Sequence, residues 1–390
     1  MSNSLYQSIL CLQDGTFYKG WSFFELSTYS GEIVFNTGMT GYQEILSDPS
    51  YTGQMVVFTY PEIGNTGLNH QDNESNFIHV KALISKNISS VSSNWRSTVS
   101  LKDYILKKQI PHVFGIDTRS LTKKLRVSGV MSSYLCSFNL FNKGLKVDFK
   151  NLNELDLIRK ITVRCKYQSS IFNTIAPYFM RSLYINPVEN LSKVKNYNIV
   201  VLDFGLKFNI LRYLLSLGCH VHVLPATSDY NLILNCKPDG ILLSNGPGNP
   251  MLAHYAINTV KKLIHTACIP IFGICMGHQI LNIACGLKTF KLKFGHRGLN
   301  HPSGFSNYSE LTSQNHGFAV SSESQVSNSF LKSLIVKYFN LNDETVAATL
   351  HSKVPLFSVQ YHPESSPGPH DAHYLFNVFI ELISFMSIKT

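Results

Sequence analysis

Residues Ile269–Gln279, with the sequence IPIFGICMGHQ, place a cysteine between an apolar run and a helix-like run. The apolar run is typical of a buried strand, and glycine stands two positions before and two after Cys275. This is the thiol counterpart of the G-x-S-x-G turn that presents a nucleophile between a strand and a helix. Glycine is expected there because a side chain on either flank would collide with backbone. We therefore predict that Cys275 is a nucleophile at a helix N-terminus, where free N–H groups and the helix dipole favour the thiolate.

The chain on both sides of this stretch alternates between strand and helix. Strand-like runs are predicted at 198–202, 219–224, 240–243, 269–274 and 356–361, and helix-like periodicity at 207–217, 252–265 and 278–284. This alternation predicts an α/β fold with a doubly wound, mostly parallel sheet. In such a sheet the chemistry lies at the carboxyl ends of the strands.

A second candidate group, His362-Pro363-Glu364, follows the last of these strands. Residues i and i+2 of an extended segment project to the same side, so Glu364 can support His362. A thiolate nucleophile needs a base that later acts as the acid for the leaving group. Together with Cys275, these residues predict a Cys-His-Glu triad.

The first part of the chain gives a weaker and more mixed signal. Strand-like runs at 32–35 and 55–60 are separated by turn-forming residues, and helical periodicity follows at 101–108 and at 120–127, where Asp117 is the expected cap. We predict a smaller mixed α/β domain over residues 1–150, a linker region over 151–194 and the larger α/β domain over 195–390.

Composition excludes several classes of protein. Hydrophobic residues make up 44% and charged residues 15%, which is typical of a folded globular chain. The net charge of +10 is evenly spread: residues 1–190 carry 19 basic and 14 acidic side chains, which leaves +5 for each half. We therefore expect no nucleic-acid partner. There is no long apolar run and no targeting segment, so we also expect no membrane association.

Metal and nucleotide chemistry are not expected on this chain. The eight cysteines are scattered and form no CxxC pair. The histidines at 296, 301 and 316 lack helical pairing and a nearby carboxylate set, so we interpret them as structural. No G-x-x-x-x-G-K-[ST] motif is present, so ATP is not expected here either.

Three motifs in this order resemble those of the class I glutamine amidotransferases, over roughly residues 195–385. They are SNGPG at 244–248, GICMGHQ at 273–279 and HPE at 362–364. The first domain narrows the resemblance to the family of carbamoyl-phosphate synthase small chains. The segments of the first domain that carry it are GEIVFNTGMTGYQEIL at 31–46, DPSY at 48–51 and GIDTR at 115–119. QNHGFAV at 314–320 and SPGPHD at 366–371, in the second domain, fit the same family.

The resemblance implies roles for individual residues. Cys275 would be the nucleophile, His362 the acid and base, and Glu364 its orienting partner, with L-glutamine as substrate. The backbone N–H groups of Gly246 and Met276 would form the oxyanion hole. The glutamine pocket would be lined by Gly248, Gln279, Asn315, Gly317 and Phe318, and by Ser50 from the first domain. Asn249 departs from the family, which usually has aspartate there.

The resemblance also implies a partner. Ammonia would pass to a large synthetase chain that makes carbamoyl phosphate from bicarbonate and ATP, for arginine and pyrimidine synthesis. The two chains would form a heterodimer or a higher oligomer. ATP and magnesium are expected on that large chain, with no cofactor on this one. Two alternatives stay open: another enzyme of the same fold, such as the amidotransferase subunit of a different synthase, and a catalytically silent binding subunit. The compartment would be the plastid stroma if the chain is organelle-encoded, and otherwise the cytoplasm.

Overall fold

The computed structural model describes residues 4–144, 149, 151–169, 196–322 and 333–389. They form two units, of which the first comprises Met1–Leu155 with Leu292–Leu299 and the second Asp156–Lys291 with Asn300–Thr390. Residues 156–169 of the predicted linker thus belong to the second unit, and residues 170–194 of it lie outside the described residues. In the part of the chain that the structure describes, no helix is long and apolar enough to cross a membrane.

The first unit is built on a mixed sheet. Its elements are β1 (Tyr6–Leu12), β2 (Phe17–Ser22), β3 (Tyr29–Asn36), α1 (Tyr42–Ser47), β4 (Gln54–Phe58), β5 (Glu62–Ile63), β6 (Ala82–Ile84), β7 (Asn87–Ile88), α2 (Leu101–Lys108), β8 (His112–Val113), α3 (Thr118–Ser128), β9 (Met131–Ser137) and α4 (Phe138–Asn142). Seven strands lie in the order β2-β1-β9-β3-β4-β6-β8, and β5 pairs with β7 separately. The run from β3 to β8 is parallel, and β2, β1 and β9 pair antiparallel. The predicted cap Asp117 accepts the N–H of Ser120 and begins α3.

The second unit contains the larger sheet. Its elements are α5 (Leu157–Ile161), β10 (Tyr167–Ser169), β11 (Asn198–Asp203), α6 (Phe208–Ser216), β12 (His220–Pro225), α7 (Tyr230–Asn235), β13 (Gly240–Leu243), α8 (His254–Thr266), β14 (Ile271–Ile274), α9 (Met276–Cys285), β15 (Thr289–Phe305), β16 (Tyr308–Val320), β17 (Leu334–Asn340), β18 (Val346–His351), β19 (Leu356–Val359) and α10 (Tyr374–Lys389). The strand order is β10-β12-β11-β13-β14-β19-β18-β17-β15-β16. Five neighbouring strands, from β12 to β19, are parallel.

Helices cover both faces of these parallel strands. Successive residues of a strand point to opposite faces, so Ile199 and Val201 enter one core while Val200 and Leu202 enter the other. Helices α6 and α10 pack in the first core, and α8 and α9 in the second. All residues of β13 and β14 are buried, as expected of parallel strands covered on two sides. The predicted doubly wound α/β fold is confirmed, and so is the smaller mixed domain before it.

The parallel arrangement brings the carboxyl ends of four strands to one edge of the sheet. Beyond these ends lie Lys207 after β11, Ser244 after β13, Cys275 after β14 and His362 after β19. The motifs singled out in the sequence are therefore neighbours in space for a topological reason.

Candidate active site

Cys275 occupies a strained turn between β14 and α9. Its φ of 51° and ψ of −99° lie in a region that residues with a side chain rarely adopt. A Cβ at Gly277 would lie 2.1 Å from the carbonyl oxygen of Leu243, and one at Gly273 would lie 2.8 Å from that of Gly277. Both glycines are thus required by the close approach of backbone, as predicted.

The sulfur of Cys275 is buried among polar groups. The residue is 1% exposed, and its backbone N–H donates to the carbonyl of Val359 at 2.8 Å. The Sγ atom lies 3.7 Å from the carbonyl oxygen of Asn315 and 3.7 Å from the side-chain nitrogen of Gln360. Met276 begins α9, so its N–H is among those without a partner inside the helix. A thiol in this position faces a set of fixed donors and acceptors.

His362 and Glu364 form a buried pair at the end of β19. The Nδ1 atom of His362 lies 2.6 Å from Oε1 of Glu364, and the backbone N–H of His362 donates to Ser313 at 2.9 Å. Within the described residues, Nε2 of His362 has no hydrogen-bond partner. This leaves one ring nitrogen anchored and the other available for proton transfer.

The electrostatic environment of His362 favours the imidazolium ion. Burial by itself lowers the pKa of this histidine, and the cation of Lys207 also opposes protonation, but the carboxylate of Glu364 and then the side chain of Cys275 outweigh them and raise the pKa to about 10. The protonated ring is therefore the form expected at neutral pH.

Lys207 is a buried residue of the candidate site that no sequence motif pointed to. Its Nζ lies 2.9 Å from Oε1 of Glu364, and both side chains are almost fully buried, at 2% and 0% exposed. Burial raises the pKa of Glu364, but Lys207 and then His362 offset it and lower the pKa to about 2. Lysine at a helix start is normally solvent-exposed, so the residue type did not predict a buried position. Its position just after a parallel strand was the signal that could have found it.

Several predicted pocket residues lie close to Cys275 in the second unit. Besides Asn315, Gln279 donates its side-chain N–H to the carbonyl of Phe318 at 2.8 Å, and its Oε1 is buried without a hydrogen-bond partner among the described residues. A Cβ at Gly246 would lie 2.2 Å from the carbonyl oxygen of Phe204, so glycine is required there. The roles of Gly248 and Gly317 stay predictions.

Ser50 belongs to the first unit. It lies in a short 3₁₀ turn, where its N–H donates to Oδ1 of Asp48 at 2.8 Å. Its predicted contact with glutamine stays a prediction.

The unusual Asn249 has a local structural role. Its Oδ1 accepts the N–H of Met251 at 3.0 Å and caps the 3₁₀ turn Pro250–Leu252. An amide oxygen can cap a turn as a carboxylate does. The departure from the family pattern therefore preserves the geometry of this loop.

A further buried histidine, His278, lies three residues after Cys275. Its Nδ1 is 2.8 Å from the hydroxyl of Ser358 and 3.1 Å from the amide nitrogen of Asn282. Burial lowers the pKa of His278 to about 3, so this ring is neutral.

Among the residues that the structure describes, no group of three or more His, Cys, Asp or Glu side chains is placed to hold a metal ion.

Comparison with known proteins matches both parts of the chain. The family model for the carbamoyl-phosphate synthase small chain, CPSase domain, matches residues 10–135. The family model for glutamine amidotransferase class-I matches residues 200–382. The fold and the site thus define a class-I glutamine amidotransferase domain in the second unit.

Whole-chain relatives give the family. The carbamoyl phosphate synthase small chain of Gracilaria tenuistipitata var. liui is 52% identical over 388 residues, which cover 98% of this chain and 95% of the relative. That of Porphyra purpurea is 53% identical and covers 96% of each chain, and that of a Nostoc species is 50% identical and covers 96% and 94%. The chain belongs to the carbamoyl phosphate synthase small chain family. It is a glutamine-hydrolysing enzyme subunit, and the family and enzyme class expected from the sequence are confirmed.

Proposed function

We propose that this chain hydrolyses L-glutamine to glutamate and ammonia through a triad of Cys275, His362 and Glu364. The observation that carries the proposal is the strained turn that presents the Cys275 thiol at the carboxyl edge of the sheet, where the buried His362–Glu364 pair also lies. A cysteine with positive φ, between two glycines that the close backbone requires, lowers the stability of the fold. Such backbone strain is concentrated at functional sites.

The charge states suggest the order of proton transfers. The Cys275 thiolate attacks the side-chain amide carbon of glutamine, and the N–H groups of Gly246 and Met276 stabilise the tetrahedral oxyanion. The His362 imidazolium then donates its proton to the departing nitrogen, so the C–N bond breaks and ammonia leaves. The ring, now neutral, takes a proton from water, which attacks the γ-glutamyl thioester and releases glutamate.

The Lys207–Glu364–His362 chain serves the first of these transfers. Lys207 keeps the Glu364 carboxylate ionised in a buried site, and that carboxylate keeps His362 protonated until the nitrogen leaves. Gln279, Asn315 and Phe318, with Gly248 and Gly317, would line the glutamine pocket. The unpartnered Oε1 of Gln279 supports this, since it offers an acceptor for the substrate α-ammonium group.

We further propose that the ammonia passes to a large synthetase chain, which joins it to bicarbonate with ATP and magnesium and makes carbamoyl phosphate for arginine and pyrimidine synthesis. The names of the relatives support this pairing. Free ammonia is protonated in bulk water, which gives a chemical reason to couple the two chains. The proposed compartment is the plastid stroma if the chain is organelle-encoded, which the matches to Gracilaria and Porphyra support, and otherwise the cytoplasm, which the match to Nostoc fits.

Glutamate release by the purified chain, with and without a large synthetase chain, tests the proposal. We expect the large chain to increase the rate of glutamine hydrolysis strongly. Cys275→Ala should abolish hydrolysis and leave the thermal unfolding temperature unchanged. Cys165→Ala, at an exposed thiol, is the matched control and should stay active. Hydrolysis retained in Cys275→Ala would refute the triad, and hydrolysis indifferent to the large chain would refute the pairing.

A further inference from the structure

Gln360 lies between β19 and His362, and its side chain is directed at the nucleophile. The residue is 2% exposed, and its backbone N–H donates to Ala347 at 2.8 Å, which ties it to the neighbouring strand β18. Its side-chain Nε2 lies 3.7 Å from Sγ of Cys275, within hydrogen-bonding range for sulfur. The mechanism above assigns this amide no role.

The orientation of the Gln360 amide is set by a backbone carbonyl. The oxygen of Phe318 accepts from the side-chain Nε2 of Gln279 at 2.8 Å, and the same nitrogen donates to Oε1 of Gln360 at 3.0 Å. Because the backbone carbonyl is only an acceptor, Gln279 must present its nitrogen on this side. Gln360 must then present its oxygen to Gln279 and its nitrogen to the sulfur.

The carbonyl of Asn315 and the amide of Gln360 therefore stabilise different protonation states of the Cys275 sulfur. A neutral thiol can donate its proton to the carbonyl of Asn315, which can only accept. A thiolate has no proton to donate and instead accepts the N–H of Gln360. Hydrogen bonds made to the charged form of a group favour that form. The Gln360 amide therefore stabilises the thiolate by a hydrogen bond from an uncharged donor, in addition to the positive charge of His362. Glu364 and Lys207 supply the other buried charges of the site.

We infer that Gln360 is a further catalytic residue, whose side-chain N–H stabilises the Cys275 thiolate and holds the sulfur in position for attack. The inference rests on the proposed function, because it assumes that Cys275 is the nucleophile.

Alkylation of Cys275 by iodoacetamide tests the inference without requiring turnover. The rate is followed on the Cys275 peptide by mass spectrometry at pH 7, in wild type, Gln360→Met and Gln360→Glu. Methionine keeps the length and removes the donor, and glutamate keeps the shape and replaces the donor by an acceptor. Gln168→Met, at an exposed glutamine of β10, is the matched control.

At pH 7 we expect the Gln360→Met rate to fall about tenfold and the Gln360→Glu rate to fall further, as for loss of a hydrogen bond to a charged atom. The kcat for glutamine should fall about tenfold or more with a much smaller change in KM, since the lost contact is to the nucleophile and not to the substrate.

Two results would overturn the inference. Unchanged alkylation at pH 7 in both variants would show that the amide does not act on the sulfur. A rise in KM with kcat unchanged would show that the amide acts on substrate binding and not on the nucleophile. Neither result touches the triad, which Cys275→Ala tests separately. Circular dichroism of each variant guards against misfolding, and if Gln360→Met unfolds, Gln360→Glu alone carries the comparison.

Discussion

His278 and His362 lie in two regions of the second unit that are equally buried but electrostatically opposite. They are 0% and 2% exposed. The pKa of His278 is lowered to about 3, and that of His362 is raised to about 10. Burial alone penalises the charged form of either ring. The difference must therefore come from what surrounds each of them.

Their hydrogen-bonding neighbours differ in charge. His278 contacts the hydroxyl of Ser358 and the amide of Asn282, both of them neutral. His362 contacts the carboxylate of Glu364, which Lys207 holds ionised. The comparison teaches that this fold places neutral polar groups beside His278, below the Cys275 turn, and concentrates buried charge at the end of β19.

Removal of the Glu364 carboxylate should have the largest effect. In Glu364→Gln, His362 loses the charge that keeps it protonated, and Lys207 is left buried without its counter-ion. We expect kcat for glutamine hydrolysis to fall about 1,000-fold, as when the orienting acid of a triad is neutralised. The free energy of unfolding should fall by about 3 kcal/mol, because a buried charge is left uncompensated. Steady-state kinetics and chemical denaturation measure the two effects.

The control for this variant is Glu381→Gln, at an exposed glutamate of α10. It should leave both quantities unchanged. Activity within tenfold of wild type in Glu364→Gln would contradict the electrostatic account of His362.

Lys207→Met should separate stability from activity. The substitution removes the lysine cation from the buried Glu364 carboxylate, which keeps its contact with His362, so we expect a loss of about 3 kcal/mol in the free energy of unfolding. The His362–Glu364 contact survives, so kcat should fall only about tenfold. Lys353→Met, at an exposed lysine, is the matched control. A kcat loss as large as that of Glu364→Gln would mean that Lys207 acts on the reaction by another route.

The decrease in unfolding free energy below pH 6.5 should depend on His278. Its pKa is lowered from 6.5 to about 3, so the unfolded chain binds one more proton between these values, and the stability present above pH 6.5 is lost as the pH falls. His278→Gln removes this proton, and the slope of unfolding free energy against pH should become shallower by about 1.4 kcal/mol per pH unit. Denaturation of both proteins between pH 6.5 and pH 5 measures the slope. An unchanged slope would show that His278 does not fold as the neutral ring.

Ser358→Ala should have the smallest effect. It removes the hydroxyl that lies between His278 and Thr349, at 2.8 and 2.9 Å. We expect a loss of about 1 kcal/mol in unfolding free energy and a kcat within about twofold of wild type. Ser352→Ala, at an exposed serine directly after β18, serves as control. A large loss of activity would show that the neutral network also controls the nucleophile.

The sequence predicted those parts of the site whose signals are local. The glycines around Cys275 and the two-residue spacing of His362 and Glu364 follow from the geometry of one turn and one extended segment. The predicted helix at 278–284 began two residues late, because the helix starts directly at Met276 once Cys275 adopts its left-handed conformation.

Residues that act through tertiary contacts escaped prediction. Lys207 and Glu364 are 157 positions apart, and Gln360 and Cys275 are 85 apart. Similarly, the attachment of residues 156–169 to the second unit depends on Asp203, whose carboxylate accepts the N–H of Val163 at 2.7 Å. No periodicity or composition records such pairings, since they depend on which strands become neighbours.

Nitrogen NMR of the two rings tests the assignment of opposite charge states. The chain would be labelled with ¹⁵N-histidine, and the signals of the two residues identified from His278→Asn and His362→Asn. At about pH 7.5 we expect His362 as the imidazolium, losing its proton only as the pH approaches its pKa of about 10, and His278 as the neutral ring. A neutral His362 at that pH, or two rings that both titrate near 6.5, would contradict the account.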